Sequence, residues 1–352
     1  MSEKVTIATV ARHAQVSRQT VSNVLNSPHV VREETRRRVQ EAIDSLGYRA
    51  SQAARQMRTG RSRLIAVRIE PTRDGINGSV LDRFLHGLTE TAEAAGYRAM
   101  LYTAADAAAE IATFDDLLSA YDLDGFVLTG TDHGDPRTAW LAERGVPFVT
   151  FGRPWDDPDA HPWVDVDGAA GTAQATGHLL AAGHRRIGFI GWPAGSGVGD
   201  DRRAGWREAL RAAGVDPTGL DREAVDGIAE GERLAADLLA AASPPTALVC
   251  ASDSLALGAL QAARAAAPST GTAADTAAPS TGTAAHTAAP AVPVIGFDDT
   301  PVAAAVGLTS VSQPLGDAAA RCVDLLTAVL DGPPRTPAPV LLQPSLVLRH
   351  TA

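Results

Sequence analysis

The chain has 352 residues, 45% of them apolar, with a formal net charge of −10; that length suits two or three domains with sizeable cores rather than one. No apolar run reaches the about 18 residues of a membrane-spanning helix, and the polar, basic start lacks the apolar centre of a signal peptide, so neither a span nor export is expected. Cys250 and Cys322 stand apart without CxxC or metal-ligand spacing, which excludes a disulfide framework and a zinc site and fits a reducing cytoplasm.

The first elements are two short helices over Thr6–Asn26, TIATVARHAQVSRQTVSNVLN. Ile7, Val10 and Ala11 recur at the i, i+3, i+4 spacing of a buried helical stripe. Gln15-Val16-Ser17 interrupts it, and Ser17 is a good N-cap because its hydroxyl accepts from an N–H of the next turn. Val21, Val24 and Leu25 make a second apolar stripe. Between them lie Arg18, Gln19, Thr20, Ser22 and Asn23, donor and acceptor side chains of the kind that read base edges in a major groove. Two helices crossing at a short turn, with a polar face on the second, form the helix-turn-helix pattern; a solvated helical hairpin gives the same pattern. Thr6, Ser17 and Asn26 join the five as candidate DNA-contacting positions.

A third helix is expected over Val31–Tyr48. Glu33 and Glu34 fall in its first turn, where the helix dipole favours anions. Val39, Ala42, Ile43 and Leu46 form its buried stripe, and Gly47 stops it. Residues 49–61, RASQAARQMRTGR, have helix formers but too little apolar surface to pack alone. Up to residue 63 there are twelve basic and five acidic residues, a surplus of +7 that leaves −17 for the rest. A basic head on an acidic body points to a polyanionic partner at one end.

VSRQTVSNVLN, then VREETRRRVQEAIDSLGY, then ARQMRTGRS resemble the head and hinge of the LacI/GalR family of bacterial transcription regulators, almost unbroken over residues 5–62. The resemblance implies hinge helices from two subunits that enter the minor groove at the operator centre. There Arg55 is a candidate contact, and Met57 stands where the family wedges a leucine between base steps. Two positions depart from the family. Arg32 stands where a Ser cap is frequent, and Ala50-Ser51 replaces a frequent Pro-Asn.

From Ser62 strand-like and helix-like stretches alternate. Strands are expected at Leu64–Ile69, Arg98–Tyr102, Gly125–Thr129, Pro147–Phe151, Arg186–Ile190, Ala247–Ala251 and Val292–Phe297. Helices are expected at Leu81–Ala95, Phe114–Ala120, Thr138–Arg144, Gly168–Ala182, Arg203–Ala213, Gly231–Ala241 and Ser254–Ala266. Such alternation argues a parallel α/β architecture whose ligands collect at the carboxyl ends of the strands. Ala267–Ala277, APSTGTAADTA, repeats as APSTGTAAHTA at Ala278–Ala288; its composition cannot bury a core, and it reads as a surface insertion over 267–290.

HPWVDVDGAAGTAQATGHLLAAGHRRIGFIG, DDRRAGWREALRAAG, ALVCASDSLALGALQAA, VIGFDD and LTSVSQP are similar to the family's effector domain. The fold class implied is an N-terminal all-α helix-turn-helix head plus an α/β effector domain of two lobes, like periplasmic binding proteins, with parallel sheets. The head is placed at 1–48, the hinge at 49–62 and the effector domain at 63–352. Lobe one takes about 63–163 and 294–325, and lobe two about 164–293 and 326–352. Effector-binding candidates follow strand ends: Arg153, Trp192, Arg202, Ser252, Asp253 and Asp298. The resemblance makes Arg202 a clamp on ligand hydroxyls or carboxylates and Asp298 an acceptor from sugar hydroxyls. Trp155, Trp163 and Trp192 either stack on a sugar or pack in the core, and Trp206 reads as core. Asp165 and Asp167 either serve the cleft or cap strand ends, and His178 and His184 read as structural. The loop Gly191–Gly199 lacks GxxxxGK[ST] and GxGxxG, so it reads as a cleft rim.

No catalytic constellation appears, so an enzyme is not expected, and neither a cofactor nor a metal is implied. The expected function is a sequence-specific DNA-binding transcriptional regulator. Most relatives implied by the resemblance are repressors whose operator affinity changes with a small molecule, a sugar. The expected partners are a near-palindromic operator and a second copy of the chain, or four copies, in the cytoplasm on the nucleoid. The alternative is a solute-binding receptor without a DNA role, against which the basic head and the absent leader count.

Overall fold

The computed structural model describes residues 5–48, 60–69, 77–266, 292–332 and 338–352. The chain divides into two compact units, up to Arg63 and from Leu64 onward. Arg55, Met57, most of the expected hinge and the insertion lie outside the described residues.

The head is three helices: α1 Ile7–His13, α2 Arg18–Asn26 and α3 Glu33–Leu46. Thr6 caps α1 through a reciprocal pair with Thr9, and Gln15 makes the turn with a positive φ of 52°. Ser17 caps α2 through the Thr20 N–H at 3.0 Å. Val10, Ala14, Val21, Val24, Val39, Ala42 and Ile43 form one small core. Leu25 departs from the expected stripe. It is 36% exposed, at the edge of that face: about 40° round the helix from Val21, on the side away from Val24. Arg32 leaves α3 without a side-chain cap, and Gly47 ends it in the left-handed region.

The second unit contains two six-stranded sheets. Lobe one holds β1 Leu64–Ile69, α4 Asn77–Ala94, β2 Arg98–Thr103, α5 Ala107–Tyr121, β3 Gly125–Thr129, α6 Pro136–Glu143, β4 Phe148–Phe151 and β5 Trp163–Val166. Lobe two holds α7 Gly168–Ala181, β6 Ile187–Gly191, α8 Gly197–Ala212, β7 Asp221–Glu223, α9 Ile228–Leu239, β8 Ala247–Cys250, α10 Asp253–Ala265, β9 Val294–Phe297, α11 Pro301–Val306 and β10 Thr309–Ser312. The chain then returns to lobe one as α12 Leu315–Asp331 and β11 Val340–Leu342, and ends in lobe two with β12 Ser345–Val347. Sheet one runs β11-β5-β4-β3-β1-β2 and sheet two β12-β10-β9-β8-β6-β7. Among the described residues every pairing is parallel except β10 with β12. Three segments therefore cross between lobes: after β5, after β10 and after β11.

Sheet membership corrects the expected lobe boundaries. Val294–Phe297 pairs with Ala247–Cys250, so 294–312 belongs to lobe two. Residues up to Val166, and α12 as far as Asp331, belong to lobe one, where α12 buries Leu315, Ala319, Cys322 and Leu326 with Phe84 and Leu88 of α4. Cys250 is at the centre of the other core, with Trp206, Phe189 and Phe297. Burial pushes both thiols well above the usual cysteine range, so neither is reactive. No helix among the described residues is long and apolar enough to cross a membrane.

Candidate functional site

On the head, α2 turns Val21 and Val24 inward and leaves the expected DNA-contacting residues at its surface. Gln19 Nε2 donates to Asn23 Oδ1 at 3.0 Å, one turn apart. This pair presents the Gln19 carbonyl and the Asn23 amide together, an acceptor beside a donor. Asn26 Nδ2 donates to the Ser22 carbonyl at 2.6 Å, which holds the end of the helix. Thr6 and Ser17 spend their hydroxyls on caps.

In the second unit the candidate residues gather where β6, β8 and β9 end. Gly205 lets α8 approach α7 so closely that any Cβ there would overlap the Ala169 carbonyl. Thr172 of α7 donates to the Arg202 carbonyl at 2.6 Å, which fixes the turn that carries Arg202. Its guanidinium lies 3.7 Å from the centre of the Phe297 ring and 5.2 Å from that of Trp192. It donates to the Ala251 carbonyl and reaches Asp298 Oδ1 at 3.5 Å. Asp298 follows β9 in the left-handed region, φ 110°, a strained conformation that costs about 1–3 kcal/mol. Its Oδ1 also accepts from Gln313 Nε2 at 2.7 Å, and its carbonyl accepts from Arg83 of lobe one. Burial pushes its carboxyl up to about 7; Arg202 opposes the rise, and Asp253 and Asp226 add to it.

Ser252 caps α10 through the Leu255 N–H and donates to Asp226. Asp253 corrects an expectation. It is fully buried, with Oδ2 taken by the Thr300 N–H at 2.7 Å and hydroxyl at 2.9 Å and Oδ1 by the Ser310 hydroxyl at 2.6 Å. It ties α10 to β10, with both carboxylate oxygens engaged by the chain itself. Burial raises its carboxyl to about 6. The tryptophans also differ from the sugar-platform reading. Trp163 donates to the Pro158 carbonyl from the edge of the lobe-one core. Trp206 is core, with its N–H on the Ile187 carbonyl. Trp192 has Arg202 over its ring, and its buried N–H has no partner among the described residues.

Arg153 is at the lobe boundary, with Nε 2.6 Å from Asp165 and Nη2 3.4 Å from Asp201 of α8. The end of the Gly191–Gly199 stretch is already helix, since α8 starts at Gly197 under a Ser196 cap. Asp167 caps α7 through the Ala170 N–H, whereas Asp165 holds Arg153.

Gln313, Asp226 and Arg83 join the site unannounced. Gln313 alone carried a signal, as a strand-end polar residue in SVSQP. Lobe one holds a further buried set: Glu110 accepts from Arg68 at 2.8 Å, Arg137 at 2.9 Å and the Tyr102 hydroxyl at 2.8 Å. No group of three metal-ligating side chains occurs among the described residues.

Comparison with known proteins places these features. A family model described as periplasmic binding proteins and sugar binding domain of LacI family matches residues 79–278. One described as bacterial regulatory proteins, lacI family, matches residues 6–51. The HTH-type transcriptional regulator AglR of Rhizobium meliloti (strain 1021) is 34% identical over 73% of this chain and 72% of its own. The HTH-type transcriptional regulator CelR of Thermobifida fusca is 30% identical over 98% of each chain. A solved transcriptional regulator CelR–cellobiose complex is 28% identical and superposes with a TM-score of 0.70, covering 99% of this chain and 100% of that one.

Proposed function

The chain belongs to the LacI family of bacterial regulatory proteins, and on that premise we propose that it is a repressor whose operator affinity is changed by a sugar held between its lobes. It is a DNA-binding transcriptional regulator and not an enzyme. The observation that carries the effector reading is the arrangement around Asp298. Among the described residues the Trp192 N–H and the Arg202 Nε are buried without partners, beside a carboxylate that accepts. Hydroxyl groups, which donate and accept at once, answer both needs. The sugar in the CelR–cellobiose complex supports the same class. Arg202, Asp298, Trp192, Gln313 and the Ser252–Asp226 pair are the proposed ligand-facing set, with Arg153 at the rim.

On the DNA side, Arg18, Gln19, Thr20, Ser22 and Asn23 are the proposed readers. The acceptor-beside-donor edge of Gln19 and Asn23 suits adenine, which offers a donor beside an acceptor in the major groove. Gln19→Ala is therefore expected to relax base preference at one or two positions per half-site by about 1–3 kcal/mol. Binding selection with the variant measures this, and an unchanged preference would remove Gln19 from readout. A homodimer on a near-palindromic site, acting in the cytoplasm on the nucleoid, completes the proposal.

A 100-fold change in operator affinity on binding sugar requires about 2.7 kcal/mol of coupling. The experiment is operator titration of wild type and Met57→Ala, each with and without sugar. Met57→Ala is expected to weaken operator binding, because the family resemblance puts Met57 where a leucine wedges between base steps, and to shrink the sugar effect while leaving sugar affinity off DNA unchanged. Equal operator affinity and equal sugar response in the two proteins would take Met57 out of the mechanism. Absence of any salt-sensitive operator binding would favour the solute-receptor alternative.

A further inference from the structure

The loops that follow β3 and β4 in lobe one both reach the first turn of α8 in lobe two. Trp155, in the β4–β5 loop, covers the Cα of Gly197 so closely that any Cβ at 197 would overlap the indole. The other partners of that indole are in its own lobe. Its N–H donates to the Thr131 carbonyl at 3.0 Å, and the Arg153 guanidinium is 4.8 Å from its ring centre. The Thr131 hydroxyl in turn donates to the Arg153 carbonyl at 2.9 Å, which joins the two loops into one body. Asp132, in the β3–α6 loop, lies close enough to the Gly197 N–H for that dipole to oppose the upward push of burial on its carboxyl. Arg153 reaches Asp201 of α8 at 3.4 Å, and Asp201 also accepts from the Ala169 N–H at 3.0 Å.

We propose that Trp155, seated on Gly197 and flanked by Asp132 and Arg153, is a latch that holds the two lobes closed by contacts of the chain itself. The indole is fixed to lobe one by a hydrogen bond and a stacked cation, so parting the lobes breaks its contact with Gly197 and leaves these in place. That contact separates as a unit, unlike an indole interdigitated in a shared core. The turn it grips, Gly197 to Asp201, runs directly into Arg202. Opening the latch therefore moves the residue proposed to hold the effector. A ligand that selects the closed state gains from the latch, and one that must open it works against it. This consequence rests on the cleft being the effector site; the latch itself does not.

The test uses the full chain without sugar. Ala142→Cys on α6 and Arg211→Cys on α8, both exposed, carry nitroxide labels, while the native Cys250 and Cys322 are fully buried and stay unlabelled. Dilution with unlabelled chain restricts the pulsed electron–electron measurement to distances within one chain. Wild type is expected to give one narrow distance. Trp155→Ala and Gly197→Val are each expected to shift the population to a longer, broader one. Trp155 is in a loop outside both sheets, so Trp155→Ala reads on its own if Gly197→Val fails to fold; circular dichroism checks each. A wild-type distance retained in Trp155→Ala, or a broad distribution already present in wild type, would overturn the latch. A chain that fails to bind any sugar yet shows the shift would overturn the effector reading and leave the latch standing.

Discussion

Glu110→Gln is expected to lower the unfolding free energy of the effector unit by about 3–5 kcal/mol, the usual loss when one partner of a buried ion pair is removed. Glu110 is fully buried on α5. One of its oxygens lies 2.8 Å from Arg68 Nη1 and 2.9 Å from Arg137 Nη1. The other accepts from the Tyr102 hydroxyl. Arg137 also holds Asp135 at 2.6 Å and donates to the Thr129 and Gly130 carbonyls at the end of β3. Two cations thus rest on two carboxylates with almost no water. A glutamine keeps the shape and an acceptor oxygen but leaves the second guanidinium's charge unbalanced where solvent cannot screen it. Denaturant unfolding measures the loss as a lower midpoint at unchanged slope. Glu41→Gln is the contrast: its pair with Arg37 spans 3.8 Å with both side chains at least 70% exposed, so its loss should stay within about 0.5 kcal/mol. Similar losses for the two variants would mean that the Glu110 site is hydrated.

That network also marks where sequence reading stops. Glu110 is one acid in AAAEIATFDD, and nothing local separates a buried acid from a solvated one, because its partners arrive from β1, β2 and α6. Strands β1, β3, β6, β8 and β9 were legible because parallel strands buried on both faces read as continuous apolar runs. β7, β11 and β12 are three residues each, and only their pairing with distant strands makes them strands. The order of β9 and β10 in the lobe-two sheet was hidden by the brief α11 between them, and the lobe boundaries moved accordingly. For the cleft, strand ends told which residues arrive there but not which way each side chain turns. Arg202 comes within 3.5 Å of Asp298, whereas Asp253, only two residues beyond Ala251, turns its carboxylate inward to Thr300 and Ser310.

Asp298→Asn should alter both sugar binding and the pH dependence of stability. Asp298 is 5% exposed, and burial lifts its carboxyl to about 7 against the help of Arg202 and Gln313. The ordinary unfolded value is ~3.9. A carboxyl with a raised folded pKa binds its proton more tightly in the folded state. Its contribution to stability is therefore present below about pH 4 and is lost as pH rises to about 7. Wild type should lose stability across that window relative to the asparagine variant, in which the group no longer titrates. Asp253, also raised, remains in both and leaves part of the slope. Sugar affinity moves the other way. Hydroxyls donate best to the ionised carboxylate, so wild-type affinity for a sugar identified by thermal shift should rise between about pH 6 and 8. The variant should bind that sugar about 10- to 150-fold more weakly at pH 8, the equivalent of one charged hydrogen bond of about 1.5–3 kcal/mol, with little pH dependence. Calorimetric titration at three pH values reads both effects. Parallel pH profiles in the two proteins would show that the ligand does not touch Asp298, and equal affinities at pH 8 would move the effector site away from the Arg202–Asp298 pair.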